Sequence, residues 1–233
     1  MVYVLGMSPS QALRLSIFIH TGTLLSATLY FRREIRDLLR LVAGDRSKPE
    51  DIRLLTFLFL ATMLTGLVGL PLYLLVKSAI SEWLFIVLTG SALIATGLIQ
   101  RVSQVSGTRE TRDLVPPDGL LTGLLQGLSA LPGVSRSGMT LTALLVRGFK
   151  ADEALRLSFI LSIPAVAFAE LGTLVTDGFP AVDASSVLLA LVFSFVSSLA
   201  CMQLLLQIAR RFRFWALCIT LGIVSLLPLV LKP

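Results

Sequence analysis

Long apolar segments, separated by short charged stretches, constrain this chain more than any other feature of its sequence. About 20 apolar residues are needed for a helix to cross a bilayer, and six segments approach or exceed that length. Because 55% of the residues are hydrophobic and only 15% are charged, we predict an all-α polytopic membrane protein rather than a soluble domain. The predicted spans are Ala12–Phe31, Leu54–Val76, Leu84–Gln100, Ala154–Val175, Val187–Ala209 and Phe214–Leu231.

The segment from Leu120 to Val146 departs from this pattern. Its two apolar arms are each too short to cross a bilayer. Pro132 and Gly133 break the helix between them, and the polar run Ser135–Ser137 follows. We therefore predict a re-entrant helix–loop–helix whose polar tip lies within the depth of the membrane. Irregular backbone is tolerated there only when it is buried in protein or lines a wet cavity.

The polar tip of this hairpin is a candidate anion site. An intramembrane arginine is costly, so Arg136 is a functional-site hypothesis by default. Its guanidinium, the hydroxyls of Ser135 and Ser137, and the free N–H groups of a helix that opens near Gly138 favour an oxyanion such as phosphate. The alternative is structural: Ser137 caps the helix, while Arg136 snorkels or pairs with a carboxylate.

The net charge of +6 reflects basic loops rather than a nucleic-acid surface. These loops all fall on one side of the membrane if each span crosses once and the hairpin does not cross. By the positive-inside rule, that side is cytoplasmic. Cys201 and Cys218 lie inside apolar segments and are predicted to be inert thiols. The basic loops cover residues 32–53, 101–112, 147–156 and 210–213.

An internal repeat predicts how the spans are related. The run Gln11–Ser16 (Q-A-L-R-L-S) recurs 142 positions later as Glu153–Ser158 (E-A-L-R-L-S). Trp83 and Gly90 correspond to Trp215 and Gly222 at a shorter offset. Three crossings separate the copies, so we predict an inverted-topology repeat with a binding site near the midplane. The chain is then one integral membrane domain, 1–233, with a first repeat over 1–100 and a second over 119–233.

The repeat also predicts where a second hairpin belongs. The counterpart of Gly119–Thr142 falls immediately before Met1. The first repeat is therefore expected to be incomplete at its N-terminus. Two interpretations stay open: the first half-site has been lost, or the protein begins upstream of Met1.

The run L-P-G-V-S-R-S-G at Leu131–Gly138, followed by E-A…S-F…I-P at Glu153–Pro164, resembles the undecaprenyl-diphosphate phosphatase family of the bacitracin-resistance type. The resemblance extends over essentially the whole chain. It implies a membrane hydrolase that removes the terminal phosphate of a polyprenyl diphosphate and so recycles the lipid carrier for cell-envelope glycans. The family's first motif, which is acidic and rich in serine, has no matching residues here.

The resemblance and the tip chemistry together define the expected site. Arg136, Ser135 and Ser137 are the predicted catalytic residues. The resemblance implies a divalent cation, Mg²⁺ or Ca²⁺, but the metal ligands are unknown. No histidine follows Arg136, which excludes the phosphohistidine mechanism of the acid-phosphatase superfamily. The predicted substrate-binding residues are Gly133, Gly138, Thr140 and Gln126.

Two ionisable residues inside predicted spans are candidate accessory residues. His20 is the only histidine, and its open roles are proton transfer, lining of a cavity, or a helix–helix hydrogen bond. Glu170 is an intramembrane carboxyl group, which is rarely idle. It could form an ion pair with Arg136, bind a cation, or stay protonated and hydrogen-bond to Ser or Thr neighbours.

The predicted partners are the polyprenyl diphosphate lipid and the cell (plasma) membrane, in which the chain is multi-pass. Nucleic acid is excluded, and homo-oligomer formation is left open. Two alternatives to the phosphatase are a polyprenyl-phosphate transporter or flippase, because inverted repeats with midplane anion sites are transporter features, and a non-catalytic truncated family member.

Overall fold

The computed structural model describes residues 9–44, 48–76, 82–103, 107–131, 134–177, 184–208 and 214–231. Within these ranges the chain forms nine α-helices and two short 3-10 turns, and its only extended pairing is a bridge between Arg109 and Phe149. The all-α prediction is confirmed. The helices are α1 (Pro9–Tyr30), α2 (Arg32–Val42), α3 (Pro49–Val76), α4 (Glu82–Ser103), α5 (Pro116–Gly127), α6 (Arg136–Val146), α7 (Ala151–Asp177), α8 (Ala184–Ile208) and α9 (Phe214–Leu231).

Each predicted span corresponds to one long helix. In the part of the chain that the structure describes, three helices are long and apolar enough to cross a membrane: Pro49–Leu72 in α3, Ala151–Gly172 in α7 and Val187–Gln207 in α8. The prediction of a polytopic membrane protein is thus confirmed. Helix α3 begins earlier than the apolar pattern indicated, because its first turn carries two acidic side chains, which the positive end of a helix dipole favours.

The predicted hairpin is interrupted, as its sequence indicated. Helix α5 has 12 residues and α6 has 11. At 1.5 Å per residue each is about 17 Å long, roughly half of the 30 Å hydrocarbon core. A 3-10 turn at Leu128–Ala130 ends the first arm. Pro132 and Gly133, the predicted helix breakers, lie outside the described residues.

A row of glycines lets α5 approach α3 closely. Gly119, Gly123 and Gly127 are spaced four residues apart, so they share one face of α5. A Cβ atom added at Gly123 would lie 2.5 Å from the carbonyl oxygen of Ala61, and one at Gly127 would lie 2.7 Å from Cβ of Val68. The two backbones are therefore in direct contact, which is how small residues allow helices to pack in membranes.

Helices α4 and α9 also approach each other closely at glycines. A Cβ atom on Gly222 would lie 2.9 Å from the carbonyl oxygen of Gly90, and one on Gly97 would lie 2.8 Å from that of Trp215. Gly90 and Gly222 are the two glycines that correspond in the internal repeat. The repeat itself remains a prediction, but its paired glycines meet in one helix contact.

The chain divides into two compact units. The first comprises Met1–Leu39 and Phe159–Gln207, and the second comprises Arg40–Ser158 and Ile208–Pro233. The whole hairpin belongs to the second unit, together with α3, α4 and α9. Each unit has its own helix contacts.

In the first unit, α1 packs against α8 through small side chains. A Cβ atom on Gly22 would lie 2.8 Å from the carbonyl oxygen of Leu191. The Ser194 hydroxyl donates to a backbone carbonyl of α1 at 2.9 Å, and the Ser26 hydroxyl donates to that of Ser198 at 2.8 Å. These contacts hold the two helices at short range with hydroxyl groups satisfied across the interface.

Replacing Gly123 by alanine tests the importance of the close approach between α5 and α3. The new methyl group cannot be accommodated without separating the helices, so we expect Gly123→Ala to destabilise the protein by about 1–3 kcal/mol. The matched control is Gly66→Ala in α3, where nothing lies within 4 Å of an added Cβ atom. Thermal unfolding in detergent measures both variants, and equal melting temperatures would contradict the direct-contact interpretation.

Candidate functional site

A buried carboxylate joins the two ends of the hairpin. Asp118, in the first turn of α5, has no exposed side-chain surface. One of its oxygens accepts from Nε of Arg147, the C-cap residue of α6, at 2.6 Å. Arg109 approaches the same carboxylate with both terminal nitrogens, at 3.0 and 2.6 Å. The beginning of α5 and the end of α6 are thus held by one charge cluster, Arg109–Asp118–Arg147, which we call the clamp.

Backbone pairing next to the clamp shows that the chain enters and leaves the hairpin at one place. The amide of Arg109 donates to the carbonyl of Gly148 at 3.0 Å, and the amide of Lys150 donates to the carbonyl of Arg109 at 3.0 Å. Arg109 also lies 4.4 Å above the ring of Phe149. Because its two ends are in contact, the hairpin returns to the side from which it started. This geometry is that of a re-entrant segment.

Further ion pairs lie next to the clamp. Glu110 pairs with Lys150 and, at 3.3 Å, with Arg112. The hydrogen bond and the charge of Lys150 hold the pKa of Glu110 below its ordinary value. Glu153, at the start of α7, accepts from the hydroxyl of Thr111 at 2.6 Å. These further ion pairs are partly exposed, so each contributes little to stability on its own.

Two opposing effects act on the pKa of Asp118. Burial raises it, because a charged carboxylate is poorly solvated inside protein. Hydrogen bonds from Arg109 and Arg147 favour the charged form and outweigh burial, so the pKa lies below its ordinary value of 3.8. The carboxylate is therefore charged at neutral pH, and the clamp is a genuine set of ion pairs.

Sequence reasoning did not single out the clamp. In the sequence analysis, Arg109 and Arg147 appeared only as members of basic loops, and Asp118 was not considered. A signal was present, however: one acidic residue stands at the start of an apolar arm and a basic residue stands at the end of the other arm. In a hairpin whose ends meet, such opposite charges are expected to pair.

At the tip of the hairpin, Ser135 is the N-cap of α6. Its hydroxyl accepts from the amide of Gly138 at 3.2 Å, and the hydroxyls of Ser135 and Ser137 lie 3.3 Å apart. The helix begins at Arg136, so the expectation that it opens near Gly138 was wrong by two residues. The structural alternative that Ser137 is the cap was also wrong, because the cap position falls on Ser135.

Arg136 is the first residue of α6 and is half-buried. In the described part of its own unit, no carboxylate forms an ion pair with its guanidinium. The side chain also stands at the positive end of a helix dipole, which adds to rather than compensates its charge. An anion at this point would compensate both the guanidinium charge and the positive end of the helix dipole.

The free amides of α6 add to this donor set. The amide of Gly138 donates to the cap hydroxyl, and the amide of Met139 donates to the carbonyl of Ser135. The amides of Arg136 and Ser137 lie in the first turn and have no hydrogen-bond acceptor among the described residues, so they can donate to a ligand. Two exposed serine hydroxyls complete the set, which matches the chemistry of an oxyanion site.

The tip is positioned by contacts with α4. A Cβ atom on Gly138 would lie 3.2 Å from that of Ser135 and 3.5 Å from a methyl group of Thr96. One turn further along α6, the buried amide of Gln100 donates to the hydroxyl of Thr142 at 3.2 Å. Gly138 therefore allows the first turn of α6 to lie close to both its own cap and α4.

Thr140 and Gln126, both predicted to bind substrate, are almost completely buried in the structure. The hydroxyl of Thr140 donates to the carbonyl of Ser137 at 3.0 Å and is also hydrogen-bonded to Ser158 in α7. The amide of Gln126 donates to Thr65 in α3 at 3.0 Å. These side chains hold the arms of the hairpin in place, and direct contact of either with substrate stays a prediction.

The remaining predicted site residues lie elsewhere. Gly133 is outside the described residues. His20 is exposed on α1, and Glu170 is on the part of α7 that belongs to the first unit. Thr21 hydrogen-bonds the Glu170 carboxyl group, whose other oxygen is buried without a hydrogen-bond partner among the described residues. The accessory roles of His20 and Glu170 stay predictions.

The residues of the tip do not suit a divalent cation. Mg²⁺ and Ca²⁺ prefer carboxylate and carbonyl oxygens, whereas the tip offers a guanidinium, hydroxyls and amides. Within the described ranges, no three His, Cys, Asp or Glu residues cluster in a way that could hold a metal ion. The described residues of the tip therefore fit an anion and not a cation.

Comparison with known proteins agrees with the chemistry of the tip. The chain matches the family described as bacitracin resistance protein BacA over residues 2–224. An undecaprenyl-diphosphatase from Haloarcula marismortui is 41% identical over 226 residues, which cover 94% of this chain and 83% of the relative. Proteins of the same name from Methanococcoides burtonii and Methanopyrus kandleri are 41% and 40% identical, and cover 99% and 100% of this chain and 88% and 87% of the relatives.

Replacing Asp118 by asparagine tests the clamp. Asp118→Asn leaves two arginines without their buried partner, so we expect a loss of about 3 kcal/mol, or roughly 6–12 °C in melting temperature. The pH dependence has a definite sign. A carboxyl group with a lowered folded-state pKa contributes stability above its ordinary pKa of 3.8 and loses it as the pH falls further.

The matched control is Glu110→Gln, which removes a more exposed member of the ion pairs around the clamp. We expect its melting temperature to stay near that of the wild type, and we expect the variant lacking Asp118 to lose less stability than the wild type on acidification. Melting curves in detergent, recorded from neutral pH to below the ordinary pKa of Asp118, measure both effects. A stability of Asp118→Asn equal to that of Glu110→Gln at neutral pH would show that the clamp does not hold the hairpin.

Proposed function

This chain belongs to the bacitracin resistance protein BacA family, and from that premise we propose that it is a multi-pass membrane phosphatase of the undecaprenyl-diphosphatase type. Its substrate is undecaprenyl diphosphate, whose terminal phosphorus is attacked by water. The lipid monophosphate leaves and serves again as carrier for cell-envelope glycans, and inorganic phosphate is the other product. The names of the relatives and the long apolar helices both support this proposal.

The observation that carries the proposal at the level of residues is the uncompensated charge of Arg136. Its guanidinium lacks a carboxylate partner within the described part of its unit, and it stands beside two exposed serine hydroxyls at the start of a helix. We assign Arg136, the free amides of the first turn and the Ser137 hydroxyl to the diphosphate of the substrate. A diphosphate brings several negative oxygens to one place, and the tip offers donors to several at once.

Phosphoryl transfer depends on positioning and on neutralisation of charge more than on covalent chemistry by the protein. In the proposed mechanism, Arg136 binds two oxygens of the terminal phosphate through its paired donors. The amides of Arg136 and Ser137 bind a third oxygen, and the Ser137 hydroxyl donates a further hydrogen bond. The donors stabilise the charge that develops on the phosphate oxygens in the transition state.

Ser135 has a different role from Ser137 in this mechanism. Its hydroxyl already accepts from the amide of Gly138, so it shapes the first turn of α6 and thereby aims the free amides. In the described residues, the nearest hydrogen-bonding partner of the Ser137 hydroxyl is Ser135 rather than a general base. We therefore treat Ser137 as a hydrogen-bond donor to the substrate and not as a nucleophile.

Three further points remain hypotheses about this chain. Dependence on a divalent cation is one, and it has no ligand set among the described residues. Self-association is another. The third is a contribution of His20 or Glu170 to the reaction. The two alternatives are a transporter and a non-catalytic relative. Release of phosphate from the lipid separates the proposed enzyme from both, and lipid movement without hydrolysis would identify a transporter.

Replacing Arg136 tests its assigned role directly. We expect Arg136→Ala to lower kcat about 10²- to 10³-fold, because one preorganised donor to the developing charge is lost, and we expect Arg136→Lys to restore only part of the rate. The measurement is release of inorganic phosphate from undecaprenyl diphosphate in detergent micelles. The control is Arg112→Ala, an exposed arginine in the loop before α5. Equal rates for Arg136→Ala and the wild type would overturn the assignment.

The two serines are separable by experiment. Ser137→Ala is expected to slow the reaction while leaving the melting temperature unchanged. Ser135→Ala is expected to lower both, since loss of an N-cap costs about 1 kcal/mol. Ser135→Asn supplies another capping side chain and is expected to recover most of the stability. If Ser135→Asn restored the melting temperature but not the rate, Ser135 would have to contact the substrate itself.

A further inference from the structure

Helix α2, Arg32–Val42, presents an apolar stripe that the described residues leave partly or largely exposed. Ile35, Leu38, Leu39 and Val42 follow the i, i+3, i+4, i+7 spacing of one helix face. None of the residues of α2 is buried, and the side chains of Leu39 and Val42 are 65% and 70% exposed. A short helix with such a face is stable only if the stripe meets something apolar.

The charges of α2 are sorted along the sides of this stripe. At 100° per residue, Arg32, Arg36 and Arg40 form a row along one edge, because they are spaced four residues apart. Glu34 falls on the opposite side of the helix from that row, and Asp37, three residues before Arg40, lies beside the end of the row. The arginine row therefore offers a line of guanidinium groups next to the apolar stripe, without acidic side chains between them.

The position of α2 in the chain places it next to the membrane surface. Only Phe31 separates it from α1, which coincides with a predicted membrane span. At 11 residues, α2 is about 17 Å long and cannot cross a bilayer. It belongs to the first basic loop, which the positive-inside rule assigns to the cytoplasmic side.

We propose that α2 lies in the membrane interface, with its apolar stripe in the acyl boundary and its arginine row bound to the phosphate groups of anionic phospholipids. Amphipathic helices with basic polar faces bind membranes in this way, and the cytoplasmic leaflet carries the negative charge that the row complements. Phospholipid is the favoured occupant because it surrounds every membrane-embedded chain at the depth where α1 ends. This surface shares no residue with the tip of the hairpin, and the proposal does not rest on the proposed function.

Depth measurements on the whole protein in lipid nanodiscs test the position of the stripe. A spin label is attached at Leu39→Cys, in a chain that also carries Cys201→Ala and Cys218→Ala. The matched control is a label at Arg33→Cys, on the polar face of the same helix. We expect the label at position 39 to be accessible to oxygen and protected from a water-soluble nickel reagent, and the label at position 33 to show the reverse.

Lipid selectivity tests the arginine row. Nanodiscs or micelles with phosphatidylcholine and phosphatidylglycerol are prepared with the wild type, with the triple variant Arg32→Gln, Arg36→Gln, Arg40→Gln, and with the corresponding triple lysine variant. Native mass spectrometry then counts the lipids retained. We expect the preference for phosphatidylglycerol to fall by up to roughly fivefold for each arginine removed, and the lysine variant to keep most of it.

Three outcomes would overturn the proposal. Equal accessibility of the labels at positions 33 and 39 to the nickel reagent would place α2 in water. Dipolar broadening between labels at position 39 would assign the stripe to a second copy of the chain. An unchanged lipid preference in the glutamine variant, with a wild-type melting temperature that shows it is folded, would exclude the arginine row as the lipid contact.

Discussion

The contact between Asp118 and its two arginines determines how the rest of the second unit is arranged. Because the carboxylate is fully buried and binds Arg109 and Arg147 at once, the two ends of the hairpin cannot separate without leaving a buried charge unpaired. Such a loss is among the most costly that a protein can suffer. The polar tip is consequently held at a fixed distance from the clamp, at the end of two helices of 12 and 11 residues.

The packing of the hairpin arms differs from that of an ordinary helix pair. The face of α5 that meets α3 consists of glycines, so the contact is between backbones rather than between interlocking side chains. On the other arm, Gly138 and Thr142 bring α6 against α4. Both arms are therefore fixed by neighbouring helices, and the donors at the tip are held in position before any ligand arrives, which is what electrostatic stabilisation of a transition state requires.

Much of this arrangement could be predicted from the sequence, for identifiable reasons. Span length and the Pro132-Gly133 break are local properties, so the helices and the interrupted hairpin followed from the apolar pattern. The S-R-S-G run was recognisable because hydroxyls and an arginine are out of place in an apolar segment. The clamp was missed because its three residues are 9 to 38 positions apart, and their pairing depends on the closure of the hairpin. The start of α6 was misplaced since the capping serine was not identified correctly.

The clamp also has a consequence for how the protein is made. The contacts that close the hairpin lie within one contiguous stretch, from Arg109 to Lys150. Both ends of this stretch lie together, so none of its charged residues has to be transported to the far side of the bilayer during synthesis. Arg136 enters only as deep as the arms reach, and the insertion machinery can leave the segment on the side where it emerged from the ribosome.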